Sequence, residues 1–326
     1  MKEATYTIGP IPFEKWIERY KAVEHLVITG VVDMQTFETM AKAFDYTLFK
    51  RITLDGIKTK EESDNDSSDE RHSYENEIIA HLYSMDESIL YPLTKMYLNS
   101  DCGNGEFVVL DNDILSADKK TLIHTPEEKT LTIRDGIERI GKFACSDYEE
   151  TTHLTLCEGL KEIGDYAFAY SCVEEVYMPN SLTTLGSEAF RSTDIEKVKF
   201  SENLSNIPDG CFAYTFLEQI ELPNSVKSIG NEAFARTRID CIFLPEGVET
   251  IDWNAFDFLM QIYLPSTLKH IASDFYYEAG IDSENYPPYV RIHPDNPVFY
   301  AKEGTLYFRE NDKCALDSVY NQRKEW

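Results

Sequence analysis

From residue 131 onward, an apolar residue, a variable residue and a second apolar residue recur at a regular interval. The triplets are Leu131-Thr132-Ile133, Leu154-Thr155-Leu156, Val176-Tyr177-Met178 and Val198-Lys199-Phe200. They continue at Ile220-Glu221-Leu222, Ile242-Phe243-Leu244, Ile262-Tyr263-Leu264 and Val290-Arg291-Ile292. Alternation with period two predicts a short strand with one face buried. Pro179, Pro223, Pro245 and Pro265 directly follow four of the triplets. Proline has no N–H to give to a ladder, so each of these strands stops there. Turn-forming pairs stand in the same phase: Asp135-Gly136, Glu158-Gly159, Asn180-Ser181, Asn224-Ser225 and Glu246-Gly247.

A second column keeps the same step. Its members are Ile140-Gly141-Lys142-Phe143-Ala144-Cys145, Ile163-Gly164-Asp165-Tyr166-Ala167-Phe168 and Leu185-Gly186-Ser187-Glu188-Ala189-Phe190. Ile207-Pro208-Asp209-Gly210-Cys211-Phe212, Ile229-Gly230-Asn231-Glu232-Ala233-Phe234 and Ile251-Asp252-Trp253-Asn254-Ala255-Phe256 follow, with a weak copy from Ile271. The leading positions 140, 163, 185, 207, 229, 251 and 271 are separated by 23, 22, 22, 22, 22 and 20 residues. Three positions before the triplets, Val173, Ile195, Leu217, Ile239 and Leu259 complete the inward set. A unit this short cannot bury such a set alone, whereas strands stacked about 4.8 Å apart turn the Ile and Phe positions into continuous columns. The period predicts a solenoid.

The Leu-Pro-Asn-Ser-Val-Lys-Ser-Ile-Gly-Asn-Glu-Ala-Phe run at 222–234 and its counterparts resemble the BspA-like leucine-rich repeats of bacterial surface proteins. The resemblance extends from about 105 to 310. It implies a leucine-rich-repeat solenoid: a curved right-handed coil with one parallel β-sheet and a convex side of irregular or short helical segments. A small N-terminal cap and terminal hairpins go with it. Asn112–Ser116 and the pair 296–300 and 304–307 are the hairpin segments. Departures from the pattern are Pro208 in place of Gly, Cys145 in place of Phe, and an insertion near 279–288.

The N-terminal third is looser. Residues 25–30, 51–56 and Lys95–Ser100 read as strand segments. Asp33 can cap a helix carrying Met34, Phe37, Met40 and Ala41 on one face, and Phe13, Trp16, Ile17 and Tyr20 make another amphipathic turn. The expected organisation is a cap with irregular repeat-like units over 1–104, the 22-residue repeats over 105–310, and a C-terminal cap or tail over 311–326, in one continuous body. Residues 58–77 hold eight acidic and three basic side chains with almost nothing apolar, which predicts a disordered acidic loop. A calcium loop at Asp64, Asp66 and Asp69 would lack the Gly and distal Glu of an EF-hand.

Charge narrows the partners. There are 31 basic and 58 acidic side chains, a net charge of −27, so nucleic acid and anionic lipid are excluded as targets. No apolar stretch approaches membrane-spanning length, and the first residues do not read as a signal peptide. The seven cysteines are scattered without a Cys-x-x-Cys pair, which predicts buried free thiols. No nucleophile motif, phosphate loop or metal-spaced histidine pair occurs, and His153 reads as a surface residue. No catalytic, cofactor or metal residue is assigned, and no cofactor is expected.

What remains is surface. The centre of each triplet faces solvent, giving a row of Thr132, Thr155, Tyr177, Lys199, Glu221, Phe243, Tyr263 and Arg291. Tyr and Arg often anchor interfaces, so Tyr177, Lys199, Glu221, Phe243, Tyr263 and Arg291 are the candidate partner-binding residues. Cross-strand aromatics also stabilise a sheet without any ligand. The leading expectation is a non-enzymatic, monomeric interaction or adhesion protein that meets an unknown host or microbial protein, neutral or basic in charge. The alternatives are a carbohydrate-binding module stacking sugars on Tyr177, Phe243 and Tyr263, and a structural spacer. The resemblance implies a cell-surface or secreted setting, while the absence of a visible signal peptide leaves a cytoplasmic one open.

Overall fold

Strands of two or three residues, each backed by one apolar side chain, build the larger part of the chain by stacking. In a computed structural model, the described residues are 3–8, 13–17, 23–32, 40, 44–59, 92–99, 105–252, 254–257, 259–272, 276–277 and 289–315. They divide into two compact units: Met1–Pro126 with Gly141–Ala144, and Glu127–Ile140 with Cys145–Trp326.

In the first unit, β1 (Glu3–Thr7), β2 (His25–Val32) and β3 (Arg51–Thr59) run parallel. β4 (Glu106–Leu110), β5 (Asp113–Ser116) and β6 (Thr121–His124) continue the sheet antiparallel. Asp111 and Asn112 join β4 to β5 with φ of 52° and 68°, both left-handed, as a two-residue hairpin turn requires. This is the expected leading hairpin. Phe13 and Trp16 on the short helix α1 (Phe13–Ile17) pack with Tyr6, Phe44 and Phe49 into an aromatic core.

Ser100 lies outside the described residues, and residues 95–99 are not a strand. The helix α2 (Pro92–Leu98) covers most of them, and Lys95 through Asn99 are buried in succession. Proline at the first helical position and the helix formers Leu, Lys and Met favour this outcome. The alternation read there failed because Lys95, a presumed outward residue, is buried with its Nζ donating to the Ala144 carbonyl at 3.2 Å. Asn99 then receives the chain at 141–144. Its amide donates to the Lys95 and Lys142 carbonyls and its Oδ1 accepts from the Lys142 N–H. A Cβ on Gly141 would meet Asn99 Oδ1 at 2.6 Å, so this close approach needs glycine.

In the second unit the triplet strands begin one residue before the apolar triplets. β7 (Thr130–Thr132), β9 (His153–Thr155), β11 (Glu175–Tyr177) and β13 (Lys197–Lys199) form a four-stranded parallel sheet. β16 (Cys241–Phe243), β19 (Gln261–Leu264) and β22 (Tyr289–Ile292) form a three-stranded one. Between them, Gln219–Glu221 takes no strand conformation, so the expected single row is divided. Ile220 is half-buried there, but so is Val198 at the centre of β13, so the depth of the central residue does not account for the break.

The Ile-Gly column is itself a ladder. β8 (Arg139–Ile140), β10 (Glu162–Ile163) and β12 (Thr184–Leu185) pair in parallel, as do β14 (Asn206–Ile207), β15 (Ser228–Ile229), β17 (Thr250–Ile251) and β20 (His270–Ile271). Beyond it the Phe column stacks as the period predicts. Phe168, Phe190, Phe212, Phe234 and Phe256 lie with centroids 5.3–5.6 Å apart and planes within 9° of parallel, all unexposed. Cys145 occupies the next position and is also unexposed.

Two features of these coils are absent from the sequence pattern. Ser171, Thr193, Thr215 and Thr237 donate, 2.7–2.9 Å, to the carbonyls of Phe168, Phe190, Phe212 and Phe234. The coils also carry two series of left-handed residues: Phe143, Tyr166, Glu188, Gly210, Glu232 and Asn254 in one, and Asp147, Tyr170, Ser192, Tyr214 and Arg236 in the other. The reversal turns the chain so that alternate N–H groups reach the next coil, as in Glu188 to Asp209 O and Phe190 to Cys211 O. The unit closes on the antiparallel hairpin β23 (Phe299–Lys302) and β24 (Thr305–Phe308), turning through left-handed Glu303 and Gly304. The expected trailing hairpin is present.

None of the six described cysteines is disulfide-bonded; Cys145, Cys157 and Cys211 are buried, while Cys172, Cys241 and Cys314 are half-buried rather than core. Lys58 and Thr59, read as loop, end β3. The rest of the acidic segment, including Asp64, Asp66 and Asp69, lies outside the described residues. So do Cys102, Tyr20, the predicted helix at 33–41 apart from buried Met40, the insertion at 279–288 and the tail beyond 315.

Candidate functional site

The exposed row follows from the strand phase. Val176, Ile242, Ile262 and Val290 point inward, so their neighbours Tyr177, Phe243, Tyr263 and Arg291 project from the sheet. Tyr177, Lys199, Glu221, Phe243 and Arg291 are exposed and Tyr263 is half-buried. The structure gathers five of these six into two groups rather than one, and leaves Glu221 on the coil between them, where no strand forms.

In the first group Tyr177 pairs with Lys199 across β11 and β13, and Glu175 with Lys197. The Tyr177 hydroxyl donates to Glu175 at 2.9 Å, and Lys197 reaches the same carboxylate at 2.6 Å. Those two hydrogen bonds, Lys197 first, hold the Glu175 carboxyl below its ordinary range, and the same contact raises the Lys197 ammonium. The Tyr177 phenol is raised by its bond to Glu175. Tyr177 is 56% exposed, so its ring is tethered at the hydroxyl yet open to solvent.

In the second group Phe243 pairs with Tyr263, and Tyr263 with Arg291. The Phe243 and Tyr263 rings stack with centroids 3.9 Å apart and planes 13° from parallel. On the other side of Tyr263, the Arg291 guanidinium carbon lies 5.2 Å from the ring centroid. Tyr263 is thus enclosed on both faces, and Gln261 Nε2 donates to its hydroxyl at 2.7 Å. Phe243, 63% exposed, ends the stack with one face open.

Sequence reasoning missed three neighbours of this group. Tyr289 is two residues before Arg291 on the same face, 51% exposed, with the Arg291 guanidinium 5.7 Å from its ring. Met260, just before β19, is 72% exposed, and Gln261 supports Tyr263. Extending the period-two face by two residues from Arg291 would have found Tyr289. A separate exposed pair, Tyr214 and Phe216, carries Arg191 and Arg238 over its rings at 4.7 and 4.5 Å. It lies outside the triplets, where the repeats show no common residue.

The chemistry on offer is that of contact. Among the described residues no three His, Cys, Asp or Glu side chains gather as a metal site, and no helix is long and apolar enough to cross a membrane. His153 is exposed, beside Thr152.

Compared with known families, the chain matches the BspA type leucine rich repeat region in six copies, over residues 96–196, 119–237 and 183–302. No curated protein matches it. Among solved structures, the pneumococcal vaccine antigen PcpA aligns at 19% identity over 62% of this chain and 42% of its own, with a TM-score of 0.34. A leucine-rich repeat protein from Bacteroides ovatus aligns at 19% identity over 52% of this chain and 59% of its own, TM-score 0.30. One from Eubacterium ventriosum aligns at 17% over 63% and 46%, TM-score 0.25. The chain spans less than two thirds of the length of each.

Proposed function

The chain belongs to the BspA type leucine rich repeat family, and from that membership we propose a non-enzymatic interaction or adhesion protein that binds another protein with the sheet face of its second unit. The observation that carries this reading is the contiguous cluster of exposed Phe243, Tyr289 and Arg291 around half-buried Tyr263, flanked by Met260. Exposed aromatic and arginine side chains held by neighbours lose little freedom on binding, so their burial is converted efficiently into affinity. The enclosed Tyr263 ring supports a protein partner over a glycan, because a sugar would need ring faces and the stack leaves one. We place the protein at the cell surface or secreted, acting as a monomer, on the character of its family.

The test is a triple variant, Tyr177→Ala, Phe243→Ala, Tyr263→Ala, in the full chain. Its folding is verified by circular dichroism, and its affinity for proteins purified from host secretions is compared with that of the parent. Loss of binding with the fold intact supports the sheet face. Undiminished affinity for every partner overturns it.

A further inference from the structure

The second group is a stack with an occupied end and an open end. Arg291 closes one side of the Tyr263 ring, and Phe243 closes the other. Among the described residues no ring lies on the outer face of Phe243, which stands at the sheet edge on the side of the preceding coil. In that coil the residue at the same place in the triplet, one repeat earlier, is Glu221. The two coils stay bonded on either side of the gap, since Arg238 N–H donates to Leu217 O and Glu249 N–H to Lys227 O. Glu221 is exposed, and no described residue pairs with it as an ion pair. The repeat thus sets an exposed carboxylate and an open aromatic face at the same place in adjacent coils, where the ladder is missing.

We propose that this notch receives an arginine side chain of the partner, its guanidinium lying on Phe243 and bonding to Glu221. The protein already makes this contact with itself, since Arg291 on Tyr263 is the same pairing at the far end of the stack. A guanidinium suits the notch better than an ammonium, because its plane can lie on the ring while its edge meets a carboxylate. The net charge of −27 favours approach of such a basic segment. The inference rests on the sheet-face reading and gives its partner a chemistry.

The experiment uses the full chain and a fluorescein-labelled peptide of alternating glycine and arginine, read by fluorescence anisotropy at low salt. Its control replaces every arginine with citrulline, which keeps the shape and removes the charge. Phe243→Leu and Glu221→Gln should each weaken the arginine peptide about threefold, the size of an exposed cation–π or ion-pair contact. The double variant should bind the arginine peptide no better than the parent binds the citrulline one. Glu158→Gln, which removes an exposed acid several coils away, should leave binding unchanged. Equal losses for Glu158→Gln and Glu221→Gln would show diffuse attraction to an acidic surface and overturn the notch, as would an unchanged affinity for Phe243→Leu. If the sheet-face triple variant loses its protein partner while the peptide ignores Phe243→Leu, the notch falls and the sheet face stands.

Discussion

The rings of Phe190 and Phe212 stack with centroids 5.4 Å apart and planes 8° from parallel, one repeat apart and both unexposed. Phe212 also meets Phe200 edge-on at 5.5 Å. Removing a ring from the middle of this column leaves a cavity bounded by two rigid neighbours that cannot collapse into it. Phe212→Ala should therefore cost about 3–5 kcal/mol, and Phe212→Leu less. Denaturant unfolding of the two variants checks the order; equal and small losses would mean the column is not what holds the coils.

Thr215 gives its hydroxyl proton to the Phe212 carbonyl at 2.9 Å inside the core. Thr215→Val keeps the shape and strands that carbonyl. A loss of about 1–3 kcal/mol is expected, while Thr215→Ser retains the bond and should lose less. The same unfolding assay discriminates them, and a Val variant as stable as the parent would remove the hydroxyl column from the account.

Ser192 sits at φ 53°, in the left-handed region where a side chain is strained and glycine is not. Ser192→Gly should raise stability by about 1 kcal/mol, net of glycine's greater freedom when unfolded. Gly210, at φ 58° in the companion series, should behave oppositely. A Cβ there would meet Glu188 Cγ at 2.7 Å, so Gly210→Ala should destabilise. Thermal midpoints moving the other way would contradict this reading of the turns.

These three sites mark the limits of legibility. The inward residues of each coil, the Phe column and the outward row were readable because solenoid packing repeats the same choice every coil. The left-handed turns were not, since Gly210 is the one glycine among their eleven described positions. The break at 219–221 was not legible either, since Gln-Ile-Glu has the same alternation as the strands that form and Ile220 is half-buried like Val198 of β13. Lys95 misled for a related reason: a charged residue reads as outward until its Nζ finds the Ala144 carbonyl. At the candidate site, Phe243 beside Tyr263 could be placed in adjacent strands, but ring orientation is a matter of rotamers. That orientation decides which face a ligand can reach.

The acid limb of stability should carry the mark of the surface carboxylates. Hydrogen bonds from Lys197 and Tyr177 hold Glu175 below its ordinary 4.5, and Lys269 does the same for Glu249. A carboxyl lowered in the folded state contributes stability that is complete above its unfolded value and fades as pH falls through the folded one. The thermal midpoint of the parent should thus fall on acidification below about pH 4.5 more steeply than that of Glu175→Gln, Glu249→Gln. Convergence of the two proteins is expected once the pH lies below the folded-state values of both carboxyls, by the same linkage. Parallel curves at every pH would deny these groups any share.

Association with the protein partner should slow as salt is added. Glu174, Glu196, Glu218, Glu221 and Asp240 are exposed in and around the sheet-face coils of a chain with net charge −27. Their combined field acts on an approaching basic segment over roughly 10 Å at 0.1 M salt and over about 3 Å at 1 M. Long-range attraction of this kind acts before contact, so it enters the association rate, whereas the aromatic contacts act after docking and enter the dissociation rate. Stopped-flow measurement should therefore find kon falling about tenfold or more from low to high salt with koff little changed. Phe243→Leu should show the converse, a faster koff at constant kon. A partner whose kon is indifferent to ionic strength would mean that the acidic surface serves solubility alone, and would leave the guanidinium notch without a means of attracting its occupant.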